Sequence, residues 1–218
     1  MKKCLIHYLL PLLLALLSTG CSAPDEPTIS LYLAIQRSDI EQLERHLHWG
    51  TPADQPLPNG RYPLHEVAAH GRVVMLKMLL KHGVRIDSRD PDGQTPLDVA
   101  ILNGRTQAAQ VLIRAGATFD PSQLLLEAAR RKVSDRDVVR LLKRHGADME
   151  VRDEQGNTPL LIAAANGNHR LVHYLIEFGA DTNARNAAGE TALIIARRLK
   201  RPELEEFLLA NGAIDSKP

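Results

Sequence analysis

His65, Glu66 and His70 put two imidazoles and a carboxylate into one short segment, Pro63-Leu64-His65-Glu66-Val67-Ala68-Ala69-His70. Such a set can hold zinc and activate water when both histidines stand on one helix face, four residues apart. Here they are five apart, which turns them to different sides of a helix. His169 and His173 do have the four-residue spacing, but neither a third ligand nor a general base accompanies them. Asp90-Pro91-Asp92-Gly93 has the composition of a calcium loop. Aligning Gly93 with the loop glycine, however, puts Val99 where a chelating glutamate is needed. The sequence has no Gly-x-Ser-x-Gly, no phosphate-cradling glycine loop and no cysteine in a catalytic setting. Enzymatic activity, a metal and a cofactor are therefore not expected, and binding is.

The two cysteines point to location rather than chemistry. Lys2 and Lys3 precede Leu5 to Leu17, a leucine-rich run interrupted by His7 and Pro11. It is shorter than the roughly twenty apolar residues that a membrane-crossing helix needs, and it has the basic start and small-residue end of a secretory signal. Ser18-Thr19-Gly20-Cys21 resembles the lipobox of bacterial lipoproteins, with Ser18 where leucine is commonest. The resemblance implies removal of residues 1–20 and acylation of Cys21; the alternative is an ordinary signal with an incidental cysteine. Cys4 would leave with the signal, so the mature chain would have no disulfide and would rely on its core alone. Residues 21–27, Cys-Ser-Ala-Pro-Asp-Glu-Pro, read as a tether whose six residues after the cysteine reach at most ~20 Å. Among such lipoproteins, serine after the cysteine implies the outer membrane, with the domain facing the periplasm. The three acyl chains the pattern implies exceed the two hydrophobic signals needed for firm anchoring. Loss of the two leader lysines leaves 25 basic and 26 acidic side chains. A nearly neutral, monomeric domain of this kind has no overall field to draw nucleic acid.

The remainder is a repeat. Gly50, Gly83, Gly116, Gly146, Gly179 and Gly212 recur at separations of 33, 33, 30, 33 and 33. Leu31, Leu64, Leu97, Leu160 and Leu193 each stand nineteen residues ahead of their glycine, four of them in Tyr-Pro-Leu, Thr-Pro-Leu or Thr-Ala-Leu. Thr95 and Thr158 suit helix N-caps, Pro96 and Pro159 the first helical turn. A second helix follows in each unit, with apolar residues such as Val74, Leu76, Met78, Leu79 and Leu80, or Leu171, Val172, Leu175 and Ile176. The phase glycine then suits a left-handed helix end. Neither helix can bury its apolar face alone, so stacking must make the core. With three Phe, one Trp and four Tyr in the chain, that core is aliphatic.

Thr-Pro-Leu followed by the closing glycine, over about residues 28–214, resembles the ankyrin repeat. The resemblance implies an all-α solenoid of five to six stacked helix-turn-helix units with short β-hairpin fingers between them. The fingers would be Arg89 to Gln94, Arg152 to Asn157 and Arg185 to Glu190, rich in turn-forming residues. His65 would take the histidine position of the family signature, a structural hydrogen-bonding role. Residues 215–218 form a tail. The unit ending at Gly146 departs from the pattern: its leucine, Leu125, follows Gly116 by nine residues instead of fourteen, and Leu125 to Gly146 spans twenty-one instead of nineteen. One finger should be missing, either as loop drift or as a notch for a partner's protrusion. The first unit and the charged last unit read as caps.

In ankyrin proteins the residues five and six past each leucine face the concave side. The expected protein-binding set there and on the fingers is Arg37, His70, Asp92, Gln94, Asn103, Arg130, Arg131, Gln155, Asn157, Asn166 and Arg198. Arg130-Arg131-Lys132, the most basic stretch of the groove, would suit an acidic patch. The expected function is a non-enzymatic protein-binding scaffold, lipid-tethered in the bacterial cell envelope, in a sharper form an immunity-type inhibitor of a periplasmic toxin. The alternative is an envelope stress or housekeeping factor that binds a resident protein such as an antioxidant enzyme.

Overall fold

The computed structural model describes residues 24–215. The leader, Cys21 and residues 216–218 of the tail lie outside them. Six helix pairs follow one another. The first helices are α1 (Leu31–Arg37), α3 (Pro63–Ala69), α5 (Pro96–Leu102), α7 (Pro121–Arg130), α9 (Pro159–Asn166) and α11 (Ala192–Arg198). The second helices are α2 (Ile40–His48), α4 (Val73–Lys81), α6 (Thr106–Arg114), α8 (Arg136–Arg144), α10 (His169–Glu177) and α12 (Pro202–Ala210). Each first helix packs on the next first helix, and α2 to α10 pack likewise, so the units form one row.

Local chemistry sets these boundaries. Thr95, Thr158 and Thr191 accept the amide three residues on, and Thr95 completes a reciprocal capping box with Asp98. Tyr62 takes the same place before α3 and makes no side-chain cap. The residue seven past each unit's leucine is left-handed throughout: Gly71, Gly104 and Gly167, but also Ser38, Lys132 and Lys200. The amide after it returns to the carbonyl five residues back, as Arg105 to Ala100 at 2.7 Å, which closes the helix and starts its partner.

The repeated leucines form the spine. Leu64, Leu97, Leu125, Leu160 and Leu193 are at most 2 % exposed, and Ala100, Ala163 and Ala164 are fully buried where helices approach closely. Val74 corrects the sequence reading: it is 55 % exposed, while Met75, Leu76 and Leu79 face inward. The run Val73 to Leu80 is apolar at nearly every position, so its pattern did not say which stripe turns in. Among the described residues, every buried apolar side chain of the core lies between Leu31 and Ala213, so a chain lacking the first 21 residues keeps all of these.

The fingers are tight turns, and no strand forms among the described residues. Asp90, Asp153 and Asn186 hold equivalent places, and the Oδ1 of each accepts the amides two and four residues on, at 2.8–3.0 Å. Arg89, Arg152 and Arg185 clip each turn by donating to Gly93, Gly156 and Gly189 carbonyls. In the irregular unit no finger forms. Asp120 caps α7 through the Ser122 and Gln123 amides, and α7 starts four residues before Leu125 instead of one. The linker is thus converted into an additional helical turn.

The described part of the tether is held against α2. The indole N–H of Trp49 donates to the carbonyls of Pro24 and Asp25 at 3.0 and 3.2 Å, and Arg45 pairs with Asp25 at 3.7 Å. His46 reaches the Ile29 carbonyl at 2.7 Å. From Pro24 onward the chain lies along α2.

Candidate functional site

Two recesses on the inner side of the stack gather most of the expected binding residues. The larger, about 460 Å³, spans the last three units. Its floor is Leu161, Ile162, Ala165 and Ile195, and Arg130 and Arg198 stand at its two ends. Between the arginines runs a continuous polar ladder across the finger bases. Arg130 lies 3.7 Å from Asp153, whose Oδ2 accepts from Asn157 at 3.4 Å. Asn157 Oδ1 accepts from Asn186 at 3.0 Å, Asn186 donates to Glu190 at 3.3 Å, and Glu190 pairs with Arg198 at 3.0 Å. Asn166 sits beside this ladder and donates to the Ala129 carbonyl at 3.2 Å, which finishes α7. The arrangement combines an apolar floor with fixed donors and acceptors, which is how a protein interface holds an extended segment or loop.

The second recess, about 310 Å³, lies where the finger is missing and includes Asp92, Gln94 and Arg131. Its other polar lining is Gln123 and three acids, Asp98, Asp120 and Glu127. Gln94, with its amide oxygen toward the guanidinium, accepts from Arg131 at 2.8 and 2.5 Å. The basic stretch expected at 130–132 is locally neutralised, because Glu127 lies 2.6 Å from Arg131 and 3.7 Å from Arg130. Sequence order alone hid this, since Glu127 stands a helical turn upstream.

Arg37, His70, Asn103 and Gln155 are exposed but line neither recess. His70 and Asn103 turn back onto their own helices, donating to Glu66 and Val99 carbonyls at 2.8 and 2.7 Å. Asp153, Asn186 and Glu190 were not in the expected set, although they carry the ladder. The signal for Asp153 and Asn186 was the Asx that recurs seven residues before Leu97, Leu160 and Leu193, read only as a turn former.

His65 is fully buried, and its Nε2–H donates to the Gln94 carbonyl at 2.9 Å, which ties α3 to the next finger. His70 is exposed, so the two imidazoles share no site. His173 packs on Phe207 with ring centroids 5.5 Å apart. Among the described residues no three His, Cys, Asp or Glu side chains are grouped to hold a metal, and no helix is long and apolar enough to cross a membrane.

Comparison with known proteins decides the family. The family described as ankyrin repeats (3 copies) matches residues 31–123 and again 125–217. This chain belongs to the ankyrin-repeat family. The ankyrin fold is also that of a solved structure, the ankyrin repeat domain of Bcl-3, described as a unique member of the IkappaB protein family. That domain is 23 % identical, with a TM-score of 0.69 over 88 % of this chain and 90 % of that one. No curated protein matches the sequence. Ankyrin repeats are typically non-enzymatic protein-interaction scaffolds.

Proposed function

We propose that this ankyrin protein is a non-catalytic scaffold, acylated at Cys21 and held in a bacterial envelope. It grips a protein partner in the groove between Arg130 and Arg198. The observation that carries the binding half is the pre-organised ladder over an apolar floor. Its polar groups are already fixed by one another, so little side-chain order is lost when a partner docks. The lipid half rests on the lipobox resemblance of Ser18-Thr19-Gly20-Cys21. A sharper reading makes the partner a toxic enzyme delivered into the periplasm, with the protein as its immunity factor. The second reading, a resident envelope protein such as an antioxidant enzyme, uses the same groove.

The test is capture from envelope extracts by the parent and by Ala165→Glu/Arg198→Glu, which places a carboxylate on the groove floor and reverses one end. Loss of the captured protein in the variant is expected; equal retention removes the groove from the reading. Deletion then separates the partners. An immunity factor is needed only beside a toxin producer, whereas a resident-protein factor is needed under oxidant or detergent without any competitor.

A further inference from the structure

The outer helices are electrically unlike the inner ones. Across α4, α6 and α8 there are seven Lys and Arg and one acid, Asp137. Asp137 pairs with Arg140 at 2.9 Å, and Arg136 is bound to Glu177. Lys77, Lys81, Arg114, Lys143 and Arg144 are exposed and make no ion pair among the described residues. The end helices reverse the sign, with two Glu and one Arg in α2 and three Glu in α12. The positive charge is therefore a belt over the middle of the outer face.

Within this belt one register stands out. Lys81, Arg114 and Arg144 are the last residues of α4, α6 and α8, each two residues before its phase glycine. Because these helices pack side by side, the three cations form a row with steps of about 10 Å. His48 holds the same register in α2, and Trp49 follows it. Trp49, 50 % exposed, is the residue on which Pro24 is pinned. Pro24 therefore lies at the head of the cation row. Cys21 is three residues earlier, within about 11 Å of extended chain. Of the nearby acids, Asp54 is neutralised by Arg85 at 2.6 Å, while Asp87 and Asp148 accept from Thr118 at 2.8 Å and from the Glu150 amide at 2.9 Å and keep their charge.

We propose that this edge, Trp49 followed by Lys81, Arg114 and Arg144, docks on an anionic lipid surface and lays the solenoid along the membrane. Tryptophan favours the interfacial zone, and each cation close to an anionic leaflet raises partitioning by about fivefold. The orientation leaves the inner groove turned away from the lipid and open to a partner. The proposal deepens the anchored reading but does not require acylation, because the charges act without it. Cations at helix C-termini also complement the helix dipole, and that role alone would give stability without lipid binding.

The test uses a chain starting at Ser22, which retains every described core side chain, and vesicles of phosphatidylglycerol mixed with phosphatidylcholine. Co-sedimentation is expected on these and not on pure phosphatidylcholine, and it should fall as salt is raised. The triple variant Lys81→Glu/Arg114→Glu/Arg144→Glu should lose about a hundredfold or more in partitioning. Lys132→Glu/Lys200→Glu, at the opposite ends of the helices, should stay near the parent. Circular dichroism melts establish that both variants fold. Unchanged binding by the folded triple variant, or equal binding to pure phosphatidylcholine, overturns the proposal. So does a triple variant that keeps its vesicles but loses a captured protein, because the edge would then be a protein surface. Fatty-acid labelling of Cys21 in the full chain is read separately: without label but with vesicle binding, the anchor falls and the lipid edge stands.

Discussion

His65 shows how a residue suited to catalysis is spent on structure. Its ring is sealed between α3 and the finger ending at Gln94, and burial holds its pKa below the ordinary 6.5. With Nε2 donating, Nδ1 is left buried without a hydrogen-bond partner, so a second proton would have nowhere to point. The unfolded chain takes up that proton below about pH 6.5 and the folded chain resists it. Stability from this group is thus complete above the unfolded value and declines as the pH falls below it. Urea midpoints of the parent should drop between pH 7 and 5 more steeply than those of His65→Gln, which is less stable throughout; parallel curves would remove the assignment.

The helix-turn-helix element tolerates only a left-handed residue seven past its leucine. Glycine supplies this in three units, while Lys132 adopts φ +59° at the cost of crowding its Cβ. Lys132→Gly should therefore raise stability by about 0.5–1 kcal/mol, measured by denaturant titration. The same element explains what was legible in the sequence. Leucines, capping threonines and phase glycines announced the units because each acts on neighbours close in the chain. The ladder from Arg130 to Arg198 was not legible, since Asn157 meets Asn186 twenty-nine residues away and only stacking brings them together. Pro24 to Pro27 carried a tether composition that gave no hint of docking on Trp49 and Arg45. The acidic notch was half visible: the missing finger showed in the spacing, but Glu127's neutralising position needed the helix.

At the scale of the whole molecule, one aliphatic core runs the length of the row, so damage at its centre should be felt at both ends. Leu125, fully buried in the irregular unit, is the most informative position. Leu125→Ala should cost about 2–5 kcal/mol, and hydrogen exchange should speed up first in α7 and α8 rather than in the end units.

Elsewhere in the row, a unit finishes the helix of its predecessor. Arg72 donates to the Ile35 and Gln36 carbonyls, Arg105 to Ala69, Asn166 to Ala129 and Arg201 to Ala164. Among the described residues no side chain does this for the last turn of α5, where Val133 replaces arginine and the intervening finger is absent. The molecule accordingly has a grain and a seam. Pulled from its two termini, it should part between the third and fourth units, yielding two three-unit blocks.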